Sequence, residues 1–392
     1  MNRVRLGDLC QIRSGGTPSR EVPDYYGGEI PWAKIDDLNV QSGVVNKTAE
    51  GITPKGLNAI RGRLFPAGTL LFAMYGSVGK IAWAGCEMST NQAILGIEVE
   101  DTEILDRGYL FRWLQSQRPR FESEASGVTQ KNLSAGYIRD QNIPLLPIDV
   151  QRRIAAILDK ADAIHKKRRE SLALANESVR SSFLQLLGNS LGERVSVQEL
   201  LPATSNAIRT GPFGSQLLHS EFTEKGIPVL GIDNVVTNRF RWAERRYVSH
   251  EKYKELRRYR VFPGDVMVTI MGTTGRVCIA PENLPECIST KHLCTITLDR
   301  QRLLPEYLWA SLLWDPVVRA QATREGKGAI MEGWNMGLVR GLMIKVPPLS
   351  QQEHFSAFVR NAEGLRTKLQ AADVESNQLF GTLAQRAFSG QL

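Results

Sequence analysis

Gly76, Ser77, Gly79 and Lys80, in the stretch MYGSVGK at 74–80, come nearest of any residues in this chain to a phosphate-handling loop. Backbone N–H groups freed by glycines can cradle a phosphate, and a lysine behind them can neutralise it. The nucleotide-binding P-loop needs a glycine five positions before its Gly-Lys pair and a Ser or Thr just after it to hold magnesium. Met74 and Ile81 occupy those positions, so the nucleotide reading fails at both ends. Cys287, His292 and Cys294 are ligand-type residues close together, but their alternation in an apolar stretch is the habit of core strand positions. The five cysteines are odd in number and include no C-x-x-C pair, which argues against a disulfide framework and against a zinc site.

The glycine loop occurs twice. RLFPAGTLLFAMYGSVGK (63–80) returns as RVFPGDVMVTIMGTTGR (260–276), so Gly272, Thr273, Thr274, Gly275 and Arg276 form a second copy. GGEIPWAKIDDL matches EKGIPVLGIDNV, CEMSTNQAI matches CISTKHLCTI, and IPLLPIDVQRRIAAIL matches IKVPPLSQQEHFSAFV, all at an offset of about two hundred residues. One fold is therefore used twice. The second copy replaces Lys80 by Arg276, a change that a catalytic phosphate lysine tolerates poorly because ammonium and guanidinium present different geometry. A loop that brings N–H groups and positive charge to a DNA phosphate accepts either. So does a plain hairpin between two strands, with glycines supplying positive φ. The spacing leaves both open.

The elements that must position these loops follow from the rest of the pattern. A chain of 392 residues is expected to hold two to three domains. Each half begins with short β-like runs broken by Gly- and Pro-rich turns, with one amphipathic helix near 109–121 and its counterpart near 307–320, a compact α/β module. After PLLP and VPPL the prolines stop. Apolar residues then step by three and four, from Ile154, Leu158, Ala161 and Ile164 to Phe183 and Leu186, and again from Phe355, Phe358, Ala362 and Leu365 to Leu379 and Leu383. Asp149 is expected to cap the first helix, and Ser350 with Glu353 the second. So narrow a stripe predicts that two helices, each about 58 Å long, pair with each other. The run HKKRRE (165–170) reads as a solvated face or as a contact for DNA or protein.

Charge and composition narrow the classes. Lys and Arg outnumber Asp and Glu by 49 to 41, a formal charge of +8 that favours a polyanionic partner. There is no run of eighteen apolar residues and no apolar core in the N-terminal stretch, so no membrane association and a cytoplasmic location are expected. No methylase Asp/Asn-Pro-Pro-aromatic motif, Walker A motif or nuclease carboxylate–lysine set is found, and no Ser/His/Asp or paired-carboxylate arrangement stands out.

Two α/β modules alternating with two long helices, entered through IPLLPIDVQRRIAAIL and VPPLSQQEHFSAFV, resemble the specificity (S) subunit of type I restriction–modification systems. GGTPSR, IPWAKIDDL, GSVGK, TQKNL and GWNMGLV carry the resemblance, in order and in duplicate, over essentially the whole chain. Leu146 stands where a second proline is common and Gln351 where an acid is common. The resemblance implies an α/β fold. Two duplicated target recognition domains, 1–148 and 191–347, would be separated by spacer helices at 149–190 and 348–392 that pair as an antiparallel coiled coil. Each domain would read one half of a bipartite, asymmetric site in double-stranded DNA. The helices would fix the spacing and dock two modification (M) subunits, with two restriction (R) subunits as further partners. The chain itself would be non-catalytic and carry no cofactor or metal; S-adenosylmethionine, ATP and magnesium would belong to the partners. A coiled-coil scaffold or adaptor without a DNA role is the alternative, and the charge and the duplicated basic loops count against it.

Residues matching the family's motifs in the turns are the candidate DNA contacts. In the first module these are Thr17, Ser19, Trp32, Lys34, Tyr75, Ser77, Lys80, Gln130, Lys131 and Asn132. In the second they are Arg209, Ser215, Thr273, Thr274, Arg276, Trp334 and Asn335. Lys and Arg suit phosphates, whereas Gln, Asn and Arg can make bidentate contacts to base edges. Trp32 and Trp334 have the alternative of partial burial as packing residues. Asn132 and Asn335, read as matched positions, have the alternative of holding the shared fold. Base readout is expected where the halves differ.

Overall fold

The computed structural model describes residues 2–40, 42–125, 132–204, 206–243, 245–326 and 334–389. Gln130 and Lys131 lie outside the described residues. The chain divides into two compact units, one of Met1–Arg168 with Ala371–Leu392 and one of Arg169–Gln370.

In the first unit a five-stranded sheet runs in the order Cys10–Ser14, Ile94–Val99, Leu70–Ala73, Ile81–Ala84 and Val44–Val45. The fully buried run LLFA of the central strand fits a position covered on both faces. A three-stranded sheet orders Glu50–Ile52, Tyr26–Ala33 and Ser89–Thr90. Helix Arg107–Glu124, capped by Asp106 accepting from the Tyr109 N–H at 2.8 Å, packs Tyr109, Leu110 and Phe121 into the core with Leu70, Phe72 and Ile97.

The second unit repeats this order: Ile208–Thr210, Leu293–Ile296, Val266–Thr269 and Val277–Ile279. Ile227–Leu230 again pairs in parallel with the short strand Ile288–Ser289. The duplication read in the sequence is thus a duplication of topology. Among the described residues three elements depart from it: the larger sheet has four strands with no counterpart of Val44–Val45, the smaller sheet gains Phe222–Thr223, and one helix is divided. The helix expected near 307–320 is two helices, Pro305–Trp314 and Pro316–Gly326. Pro316 cannot continue the first, and buried Asp315 accepts from the Val317 N–H at 2.9 Å to start the second.

The long helices span Ile148–Asn189 and Leu349–Ser389. In the first unit the beginning of the first helix packs antiparallel to the end of the second: Ile154 and Leu158 share a core with Phe388, and His165 Nδ1 lies 3.0 Å from Asp373 Oδ1. In the second unit Val179 and Phe183 pack with Val359 and Phe355 in the same sense. In each unit a fully buried tyrosine meets a ring from a helix end, Tyr109 with Phe388 at 5.3 Å and Tyr307 with Phe183 at 5.4 Å.

The seam differs from the expected one. It passes through His165, buried at the start of HKKRRE, and Arg168, whose guanidinium donates to the Ala372 carbonyl at 2.7 Å. Ile164, Phe358 and Leu365 are instead exposed. The side chains of Leu379 and Leu383 lie outside the described residues.

The helix starts also correct the expected caps, because Asp149 and Ser350 both fall inside the first turn. A buried glutamine anchors each start. Gln151 donates to the carbonyls of Ile104 and Leu146 at 2.9 and 2.8 Å and accepts from the Asp106 N–H at 2.9 Å. Gln352 donates to Arg302 and Pro347 at 3.1 and 2.8 Å and accepts from Leu304 at 2.9 Å.

Candidate nucleic-acid interface

Strand Leu70–Ala73 ends in the loop at 74–80, closed by Ala73 N–H donating to the Lys80 carbonyl at 2.8 Å and Gly79 N–H donating to the Ala73 carbonyl at 3.0 Å. Gly76 and Gly79 take φ of 65° and 76°, and Gly272 and Gly275 in the second copy take 73° and 74°. Both loops are hairpins that need glycine at these positions. Lys80 donates to the Asn39 side chain and lines a cavity of about 340 Å³ whose acids, Asp159 and Asp162, are engaged by the buried Arg112 at 2.7 and 3.2 Å. Arg276 is exposed and has no ion pair among the described residues. Thr273 is exposed, and its carbonyl accepts from the Thr269 hydroxyl. Thr274 is half-buried and Ser215 lies exposed in the turn Gly214–Gln216.

The other candidates fall into groups. Thr17, exposed, donates its hydroxyl to Gln92 Oε1. Ser19, also exposed, accepts from the Glu21 N–H at 3.3 Å. Tyr75 and Asn132 face each other across an isolated bridge, with Ser77 beside them. Lys34 pairs with Glu50, which also receives Arg20 at 2.7 Å; those hydrogen bonds, Lys34's first, hold the Glu50 carboxyl below its usual range.

Two candidates belong to the interior. Trp32 is 2% exposed, donates from Nε1 to the Gly16 carbonyl at 3.0 Å, and lies under the Arg20 guanidinium. Arg209 is 4% exposed and its guanidinium is filled by Asp265, the Arg260 carbonyl at 2.7 Å and Thr297 at 2.9 Å. Burial pushes the Asp265 carboxyl up, against the pull of Arg209. Both side chains hold the fold, so a duplex meets neither without unpacking the core. Asn335 caps helix Met336–Gly341 by accepting from the Leu338 N–H at 2.8 Å. Its structural counterpart is Ser134, which caps Ala135–Arg139, and not Asn132 as expected. Trp334 packs against Gly275, where an added Cβ would come within 3.2 Å of its ring.

The sequence reading passed over one feature. The turn after Ser89–Thr90 joins three segments: Gly16 N–H donates to Thr90 at 2.8 Å, Asn91 N–H to Ala33 at 2.9 Å, and Met74 N–H to Ala93 at 2.8 Å. In the second unit Gly211 donates to Thr290 at 3.3 Å, Thr290 to Leu230 at 2.9 Å, and Ile270 to His292 at 2.9 Å. By these bonds Asn91 corresponds to Thr290, Gln92 to Lys291 and Ala93 to His292, so the exposed position of the turn carries Gln92 in one unit and Lys291 in the other. Lys291, His292 and Arg246 line a cavity of about 380 Å³ with Gly231 and Asp233. Burial first, then Lys291 and Arg246, keep the His292 imidazole below its ordinary range, so it is neutral at pH 7. The signal was present as the difference between STNQA and ISTKH within an otherwise repeated segment. Also missed were the basic stretches RFRWAERR (239–246) and RRYR (257–260), where Arg245 stacks over Trp242. The cysteines behave as core: Cys287 and Cys294 are buried, and burial pushes both thiols up to about 12.

A family model described as the type I restriction modification DNA specificity domain matches residues 1–174. The EcoBI specificity subunit of Escherichia coli is 21% identical over 420 residues, covering 100% of this chain and 86% of that protein. The chain is thus similar along its whole length to type I specificity subunits. The MjaIX specificity subunit of Methanocaldococcus jannaschii is 25% identical over 186 residues, 47% of this chain and 42% of that protein. In fold, the chain matches the S subunit of a type I restriction–modification system from M. genitalium, with a TM-score of 0.61 at 13% identity over 99% of this chain and 96% of the other. No described helix is long and apolar enough to cross a membrane.

Proposed function

We propose that the chain is the non-catalytic DNA-reading subunit of a type I restriction–modification complex, each unit contacting one half of a bipartite site in double-stranded DNA. The observation that carries this reading is the repetition of one sheet order with different polar side chains on the matched turns, Asn91 and Gln92 on one and Lys291 and His292 on the other, with Gln92 and Lys291 at the same place. A repeated scaffold with altered outward residues suits the reading of two unlike half-sites. The candidate residues on exposed or half-exposed turns, Thr17, Ser19, Lys34, Tyr75, Ser77, Asn132, Ser215, Thr273, Thr274 and Arg276, supply phosphate and base contacts. The long helices set the half-site spacing. They also dock two methyltransferase subunits: the matched exposed residues Ile164 and Leu365 offer two similar apolar faces. Methyl transfer with S-adenosylmethionine, and the ATP- and magnesium-dependent steps, lie on the partner subunits.

The test is selection of random duplexes by the chain bound to its modification subunit. Enrichment of two separated, unlike sequence blocks is expected. Inserting one heptad near Leu172 and one near Leu369 keeps the seam in register and lengthens each helix by about 10.5 Å. The insertion is expected to lengthen the selected spacer or to weaken binding sharply. Recovery of no sequence preference by the wild-type complex would leave the chain a scaffold without a DNA role.

A further inference from the structure

Strand pairing fixes which residues of the two units correspond around the cavity of the second. Trp32 pairs with Glu50 on one side and Ser89 on the other, as Val229 pairs with Arg246 and Ile288. Trp32 therefore corresponds to Val229, Lys34 to Gly231 and Glu50 to Arg246, and Gln92 corresponds to Lys291. The exchanges share one sense. Two large side chains give way to small ones, and a cavity of about 380 Å³ opens. A carboxylate becomes a guanidinium and a carboxamide becomes an ammonium. In the first unit this place is neutralised from within, by Lys34 and Arg20 on Glu50; in the second it is cationic.

The backbone changes in the same direction. Each turn is closed across its ends, by Ile94 N–H donating to Asn91 at 3.2 Å and Leu293 N–H to Thr290 at 3.1 Å. In the first turn Asn91 Oδ1 also accepts from the Ala93 N–H at 3.1 Å. Thr290 stands at that position in the second, and among the described residues the matching His292 N–H has no hydrogen-bond partner. An N–H left without a partner favours an acceptor from outside the chain. Arg246 and Lys291 likewise make no side-chain hydrogen bond or ion pair among the described residues, and both line the cavity with His292. The acid on the same wall, Asp233, pairs with neither cation and has a counterpart in Asp36, so it does not account for the added charge. Both cations are exposed, and Arg246 ends the basic stretch RFRWAERR (239–246). A track of cations that leads to an open hollow suits a phosphate within a chain of phosphates.

We propose that Arg246, Lys291 and the His292 N–H seat one backbone phosphate of the half-site that the second unit contacts, and that the first unit has no such seat. This rests on the DNA-reading function above and adds an inequality in how the two half-sites are held. The experiment uses Lys291→Gln, which installs the first unit's residue, Arg246→Gln, and the double variant, each assembled with the modification subunit. Both side chains are exposed, so the fold is expected to hold. Each single change is expected to reduce the slope of log affinity against log salt by about 0.9, and the double change by about twice that. The bases selected from random duplexes are expected to stay the same. Methylphosphonate placed at one linkage at a time is expected to weaken the wild-type complex about tenfold at one linkage of one half-site, and the double variant no further there. An unchanged slope in the variants, or the same methylphosphonate profile in wild type and variant, overturns the seat. A changed base preference overturns it too, by making these side chains readers of base edges. Titration with inorganic phosphate separates the other source: saturation that the variants lose, with duplex affinity unaltered, means a site for a free anion and overturns the seat. A wild-type complex that selects no sequence but loses slope in the variants keeps the seat and overturns sequence reading.

Discussion

Beside strand Tyr26–Ala33 the first unit is filled: Trp32 occupies the interior, and Lys34, Glu50 and Arg20 are linked beside it. At the matched positions the second unit has Val229 and Gly231, and a cavity of about 380 Å³ opens there with Arg246, Lys291 and His292 on its walls. The buried charge shifts in the opposite sense. Arg13 makes an exposed pair with Glu98 at 2.6 Å, whereas its counterpart Arg209 is enclosed with Asp265. One topology thus tolerates two distributions of polar groups, because the sheets are held by apolar faces that both units keep. Polar side chains around that frame are free to specialise.

The largest effect that tests this contrast comes from the arginines. Arg209→Ala strands the Asp265 carboxylate in the core and is expected to cost about 3–5 kcal/mol in denaturant unfolding. Arg13→Ala is expected to cost about 0–1 kcal/mol. Equal losses would show that both pairs carry the same structural weight. Next come the helix faces. Ile164→Glu and Leu365→Glu are expected to leave stability within about 0.5 kcal/mol, since both side chains are exposed. Each is expected to weaken capture of the modification subunit about tenfold, or about 1.4 kcal/mol, by titration calorimetry. Unchanged capture in both would move the docking surface elsewhere.

The smallest effect separates the twin hairpins. Arg276→Ala is expected to reduce the slope of log affinity against log salt by about 0.9, the value for one released phosphate contact. Lys80, already bonded to Asn39 beside two carboxylates, is expected to change it less on replacement by Ala. Equal changes would show that Lys80 leaves Asn39 when DNA binds.

The duplication, the short strands and the two long helices were legible because periodicity and repeated motifs depend on local residue types. The glycine loops were legible as hairpins for the same reason. Burial was not. Nothing in IPWAK or AIRTG distinguishes an outward tryptophan or arginine from one enclosed by residues distant in the chain, such as Ile52 and Ile60 around Trp32 or Asp265 and Thr297 around Arg209. The seam was misread at Ile164 because hydrophobicity alone ranks it above His165, whereas Asp373 on the facing helix makes the histidine the better fit. The helix caps failed because long-range anchors, Gln151 and Gln352, replace the local side-chain caps that sequence signatures describe.

Those two glutamines have a mechanical consequence. Each ties the first turn of a long helix to one carbonyl and one N–H of the loop leading into its own unit's core helix, and to a carbonyl just ahead of the long helix, so the helix cannot roll about its axis without breaking both bonds to that loop at once. Each glutamine is a keyed shaft fitting. A torque applied along the helix, by a partner gripping its exposed face or by a duplex that twists under the unit, is delivered to the sheet as rotation and is not lost as slip at the joint.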